Sequence, residues 1–268
     1  MSRAEFVVNA SDGRSVHGYL RGARPREQWR GVTGRTVILL PSLGRGAEDF
    51  DHLANALADA GYRAVALQPR GVGSSKGQMQ DASLDDLAAD VALTIDSQGD
   101  DTVTLIGHAF GNRLARNVAR LYPDKVSRVV LLACGGQVPM APEAMHDLMS
   151  CFDLTLPPDR HLEHVRRAFF ADGNDPAIWK DGWHPATATM QSAAVRGSDH
   201  AAWKLGGGQP MLIVQALQDV IAPPANARAL LDAAPDRMTL VEIDKAGHAM
   251  LPEQPDAIAS AVIDWLST

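Results

Sequence analysis

An α/β fold, with a mostly parallel sheet covered by helices on both faces, is what this chain predicts, and three observations carry the prediction. Residues 36–40 (TVILL), 63–67 (RAVAL), 126–133 (VSRVVLLA) and 211–216 (MLIVQA) are apolar runs without polar alternation, the form of strands covered on both sides. Segments with apolar residues at helical spacing separate these runs, so strand and helix alternate along the chain. At 103–117 one such run turns sharply through Gly107-His108-Ala109-Phe110-Gly111 into a helical pattern, and the glycines remove side chains that would clash where strand passes into helix.

Taken in order, 5–9 and 16–21 are short β-prone runs separated by Ser11-Asp12-Gly13-Arg14; an Asp-Gly pair there favours a tight hairpin, which makes them an antiparallel edge. Residues 24–34 have no period and read as a surface connection. The strand 36–40 is followed by a glycine-rich turn, Pro41-Ser42-Leu43-Gly44-Arg45-Gly46, and by a helix over 51–60 that Gly61 ends. After the strand 63–67 and the turn QPRGVGSSKG, a helix spans 84–95, with Ser83 as N-cap and Asp85 and Asp86 in the first turn, where negative charge is favoured. The strand 102–106 enters the sharp turn, the helix 112–122 leaves it and stops at Pro123, and 126–133 is the sixth strand.

Between Gly135 and Gly208 the alternation stops, and the segment is rich in Met, Trp, Phe and His with helical patterns such as Leu162, Val165 and Phe169. The organisation expected is a core formed by residues 1–134 and 209–268 with a helical cap, 135–208, inserted after the sixth strand. Strand 211–216, helix 225–233, strand 238–243 and a closing helix, 256–266, complete the core. An insertion at that point leaves the sheet at its C-terminal rim, above the sharp turn, so Met145, Met149, Phe152, Phe169, Trp179, Trp183 and Trp203 are candidates to line a pocket or to form the cap's own core.

The composition, 46% apolar and 21% charged, is that of a globular protein, and a net charge of −7 offers no basic face for nucleic acid. No stretch approaches the length of a membrane span and the N-terminus has no signal-peptide pattern, so a cytoplasmic location is expected. Cys134 and Cys151 are expected to be free thiols; Cys134, at the end of a buried strand, is a thiol nucleophile or a small buried hydrophobe. The histidines show no metal-ligand spacing, and no cofactor is expected. The expected partner is a small-molecule substrate, and the chain is expected to be a monomer or homodimer.

The turn at Gly107–Gly111 has the shape of the G-x-S-x-G nucleophile elbow with Ala109 where the serine stands. Three stretches stand in a telling order: LIGHAFGN at the turn itself, IVQALQDVIAPP after a late strand and DKAGHAMLPEQP after the last one, with VILLPSLGRG and ALQPRGVGSS upstream. Over nearly its whole length the chain resembles the α/β-hydrolase superfamily. The resemblance implies Asp219 as the acid, His248 as the general base and Ala109 as a vacated nucleophile position, with the backbone N–H groups of Phe110 and Leu43 as oxyanion donors. The oxyanion loop departs from the family pattern, with Pro41-Ser42 in place of the usual His-Gly. Ser42 is a candidate to add a hydroxyl to that site, and His108 is expected to pack away from the pocket.

The chemistry fits these residue types. An imidazole takes a proton from a hydroxyl or a water at neutral pH, and a carboxylate on its other nitrogen stabilises the imidazolium that results. A methyl group cannot attack a carbonyl, so three functions stay open. The chain is a hydrolase of an ester, lactone or similar small, partly apolar substrate with its serine replaced; an enzyme that works without the serine, as hydrolase, lyase or cofactor-free oxygenase; or a non-catalytic binding protein.

Overall fold

The computed structural model describes residues 3–22, 35–99 and 102–268. The expected connection at 24–34 lies outside the described residues. The strands are β1 (Ala4–Asn9), β2 (Ser15–Arg21), β3 (Thr36–Leu40), β4 (Arg63–Leu67), β5 (Val103–His108), β6 (Val126–Leu132), β7 (Met211–Ala216) and β8 (Met238–Ile243), and they form one eight-stranded sheet in the order β1-β2-β4-β3-β5-β6-β7-β8. β1 pairs antiparallel with β2 and β2 antiparallel with β4; every other pairing is parallel.

Alternation within the buried runs explains the three layers. Along β3, Ile38 and Leu40 join the apolar cluster that holds Leu87 and Leu114, whereas Val37 and Leu39 join the one that holds Phe50, Leu57 and Ile258. The helices α2 (Leu84–Gln98) and α3 (Phe110–Leu121) cover the first face, and α1 (Asp51–Asp59) and α9 (Pro255–Leu266) the second. Truncating a residue such as Leu39, which is fully buried, costs about 2–5 kcal/mol.

Between β6 and β7 lie α4 (Pro142–Ser150), α5 (Pro158–Phe169), α6 (Pro185–Arg196) and the short α7 (His200–Trp203); α8 (Ala225–Ala233) follows β7. Proline opens α4, α5 and α6 at N1, where its missing N–H leaves no helical bond unmade. At α2, Ser83 and Asp86 complete a reciprocal capping box, and the helix runs past the expected residue 95 to Gly99, whose φ of 73° closes it.

The sharp turn is tighter than its sequence suggests. β5 stays paired with β6 through Gly107↔Leu131 and His108↔Leu132, and α3 begins at Phe110, so only Ala109 separates strand from helix. No helix among the described residues is long and apolar enough to cross a membrane.

Candidate active site

The turn is compact because two glycines let backbone pack on backbone. A Cβ on Gly107 would stand 2.2 Å from the carbonyl carbon of Gly111, and one on Gly111 would stand 2.0 Å from the carbonyl oxygen of Leu40. Ala109 has φ 49° and ψ −105°, a conformation that costs an L-residue about 1–3 kcal/mol and persists only where its surroundings overdetermine it. Its N–H donates to Leu132 O at 2.9 Å, and its carbonyl accepts from Asn112 N at 3.2 Å. The Asn112 amide donates in turn to the carbonyls of Leu132 and Ala133, both at 3.1 Å. Arg116 locks that amide with a 2.8 Å bond to Oδ1.

Asp219 and His248 come from the loops after β7 and β8. His248 Nδ1 lies 2.8 Å from Asp219 Oδ2, and the other carboxylate oxygen accepts from the N–H groups of Ile221 at 2.9 Å and Ala222 at 2.7 Å. Both side chains are buried. The loops are stitched to each other, Gln218 N donating to Ala246 O at 3.0 Å and Ala246 N to Gln218 Oε1 at 3.1 Å. Glu253 braces the histidine loop by accepting from Gly247 N and Ala171 N, each at 2.7 Å. His248 Nε2 has no hydrogen-bond partner among the described residues and His248 lines a cavity of about 330 Å³ above Ala109.

Ser42, Leu43, Ala109, Phe110 and His248 share that cavity, and the amides of Leu43 and Phe110 donate to no acceptor among the described residues. The Leu43 loop is gripped from above: Gly44 N donates to Gln191 Oε1 at 2.8 Å and Gly44 O accepts from His184 N at 2.9 Å, so α6 and its cap hold the turn that carries Leu43. Ser42 is buried. Met145, Met149 and Phe169 line the cavity with Met140 and Leu148.

Four of the aromatic candidates are elsewhere, which corrects the expectation for them. Phe152, Trp179 and Trp183 pack among themselves, Trp179 and Trp183 meeting edge to face at 6.0 Å and Phe152 and Trp183 at 5.4 Å. The Arg45 guanidinium sits 4.3 Å over the Trp179 ring and 4.7 Å over that of Trp183, its charge matched by Asp49. Their faces are therefore occupied, and they anchor the β6–β7 segment to the loop that carries Leu43 and Arg45. Trp203 lies in the main core under Arg116, 5.1 Å from its guanidinium.

His108 is fully buried, its Nε2 2.8 Å from His248 O. Burial, then the neighbouring His248, hold its pKa down to about 3, so the ring is neutral and Nε2 is the donor, since a carbonyl only accepts. Burial raises the Cys134 thiol above its ordinary range, which keeps it protonated and unreactive. His146, Asp147 and His164 converge in metal-ligand fashion, but the Asp147 carboxylate is already clasped by Arg167 at 2.9 and 2.6 Å, making the cluster a salt bridge between α4 and α5. Gln191, Glu253 and Arg113, another cavity residue, were not among the sequence candidates; Arg113 stands one helical turn after Ala109, and that spacing was its only signal.

Known proteins resemble this chain in sequence and in fold. The sequence profile of a family described as serine aminopeptidase, S33, matches residues 33–255. Epoxide hydrolase B of Mycobacterium tuberculosis is 34% identical over 166 residues, a stretch that covers 61% of this chain but only 44% of that protein, so the chain matches less than half of that relative's length. A putative non-heme bromoperoxidase of the same organism is 24% identical over 88% of this chain and 95% of its own. In fold, the crystal structure of a putative aryl esterase from Burkholderia cenocepacia is similar with a TM-score of 0.79 over 98% of each chain at 20% identity. With the profile matched across most of its length, the chain belongs to the serine aminopeptidase S33 family, within the α/β-hydrolase superfamily.

Proposed function

We propose that the chain is a hydrolase of a carboxylic ester, lactone or related bond in a small, partly apolar substrate. The observation that carries this reading is the 2.8 Å pair of His248 and Asp219 at the edge of a cavity that also holds Ala109 and the amide-bearing residues Leu43 and Phe110. A binding protein has no use for a carboxylate held by two amides behind an imidazole. Kinship with hydrolases supports the general class, and the 330 Å³ cavity, lined by Met140, Leu148 and Phe169, supports a small substrate with an apolar part.

In this reading the methyl of Ala109 rules out an acyl-enzyme, and water takes the nucleophile's place. His248 Nε2 accepts a proton from water as its oxygen bonds to the substrate carbonyl carbon; Asp219 stabilises the imidazolium. The amides of Leu43 and Phe110 receive the developing oxyanion. Collapse breaks the bond to the leaving oxygen, which takes the proton back from His248.

The test is Ala109→Ser. With a hydroxyl at the apex of the turn, turnover of a short aryl ester should rise by roughly two orders of magnitude or more over the native chain, the scale that one triad member carries. No gain from Ala109→Ser, together with unchanged activity and ligand affinity in His248→Ala, would replace the enzymatic reading by a binding one.

A further inference from the structure

The cavity above Ala109 carries cations and no acid. Arg113 and Arg196 both line it, and no Asp or Glu does. Arg113 has no hydrogen bond, ion pair or ring contact among the described residues. The contrast with its neighbour is sharp, because Arg116 donates to Asn112 Oδ1 at 2.8 Å and to Lys204 O at 3.0 Å and stacks on Trp203. The fold thus supplies partners to Arg116 and to Arg120 on α3 and leaves Arg113 for whatever fills the cavity. A half-buried guanidinium whose donors no protein group uses is a ready partner for an anion that takes two of them side by side.

The position of Arg113 sets where that anion would lie. It follows Ala109 by one helical turn, a separation of about 5–6 Å between Cβ atoms on one face. Its guanidinium borders the turn after β6: a Cβ on Gly135 would be 3.7 Å from Nη2, and one on Gly136 would be 3.8 Å from it. His200 Nε2 approaches the same Gly136 point to 3.5 Å and is a buried nitrogen without a partner. Side chains are absent at both glycines, and two unpartnered nitrogen groups face that spot. Arg196, an exposed residue of α6, stands at the cap side of the cavity with Ser192 one turn before it.

We infer that the substrate carries a free carboxylate a few atoms from the bond over Ala109, held by Arg113 beside Gly135 and Gly136, with Arg196 drawing it in from the rim. The hydrolysed bond rests on the hydrolase reading above; the anion subsite does not depend on it.

Three ligands on one skeleton, none of them hydrolysable, test this by calorimetric titration of the native chain: 3-phenylpropanoate, the neutral methyl ketone 4-phenylbutan-2-one and 2-phenylethylphosphonate. The acid should bind at least about tenfold more tightly than the ketone, and Arg113→Gln should bring the two within about twofold by weakening the acid far more than the ketone, because only the acid loses a charged pair. Arg113→Lys keeps a charge and should keep the acid's preference, which covers the case where Arg113→Gln fails to fold. Arg196→Gln should weaken the acid about threefold and flatten its salt dependence, as expected of a rim charge. Equal binding of acid and ketone, or equal weakening of both by Arg113→Gln, overturns the subsite; so does loss of the preference in Arg113→Lys. Phosphonate binding tenfold tighter than the carboxylate overturns the carboxylate assignment in favour of a phosphoryl group. No gain of aryl-ester turnover in Ala109→Ser and unchanged activity in His248→Ala, with the acid preference intact, refute the hydrolase reading alone.

Discussion

His108 Nε2 donates to the carbonyl oxygen of His248 across 2.8 Å, so the residue just before Ala109 holds the backbone of the residue that faces it. The two loops of the candidate site are thereby coupled through one neutral imidazole. Its pKa of about 3, against 6.5 in the unfolded chain, means that between these values the unfolded state binds the extra proton. Stability from this source is fully present above pH 6.5 and is lost as pH falls, by up to about 1.4 kcal/mol per unit. His108→Gln should lack that slope. Denaturant unfolding of both proteins at pH 7, 6 and 5 reads it as a shrinking advantage, or growing deficit, of the native chain; parallel curves would contradict the assignment.

Gly111→Ala puts a methyl 2.0 Å from Leu40 O, and backbone on both sides leaves no flexible atom to yield. A loss of about 3 kcal/mol or more, or failure to fold, is expected. Gly208→Ala, whose Cβ would meet nothing within 4 Å, should stay within about 0.5 kcal/mol of the native chain. Comparable unfolding midpoints for the two variants would refute the close-packed turn.

Gln191→Ala removes the acceptor for Gly44 N and frees the loop that carries Leu43. A buried N–H left without a partner costs about 1–3 kcal/mol. In an Ala109→Ser background the same change should lower kcat about tenfold with KM little altered, since a displaced oxyanion amide acts on the transition state. A change confined to KM would place Gln191 in substrate binding instead.

Much of this molecule was legible in its sequence for physical reasons. β3, β5, β6 and β7 are buried on both faces, and burial on both faces leaves uninterrupted apolar runs such as TVILL and MLIVQA. The elbow could be read because Gly107 and Gly111 are the residues its close approaches demand. The lining of the cavity was less legible. Phe169 faces it while Phe152, Trp179 and Trp183 pack on one another, and in a segment whose helices bury more than one face, periodicity does not say which apolar residue goes where. Arg45, which ties those indoles to the loop that carries Leu43, sits in a turn where no pattern marks it. Arg113 carries its information in what it lacks, a partner, and that exists only in three dimensions.

On the proposed function, everything a serine nucleophile needs surrounds Ala109 except the hydroxyl. Intact-mass measurement after exposure to a fluorophosphonate tests it most directly. Ala109→Ser should take up one label, the native chain none, and Ala109→Ser combined with His248→Ala should label more slowly by roughly two orders of magnitude or more, since the imidazole activates the attacking oxygen. A folded Ala109→Ser protein that stays unlabelled, or labels equally fast without His248, would contradict the account.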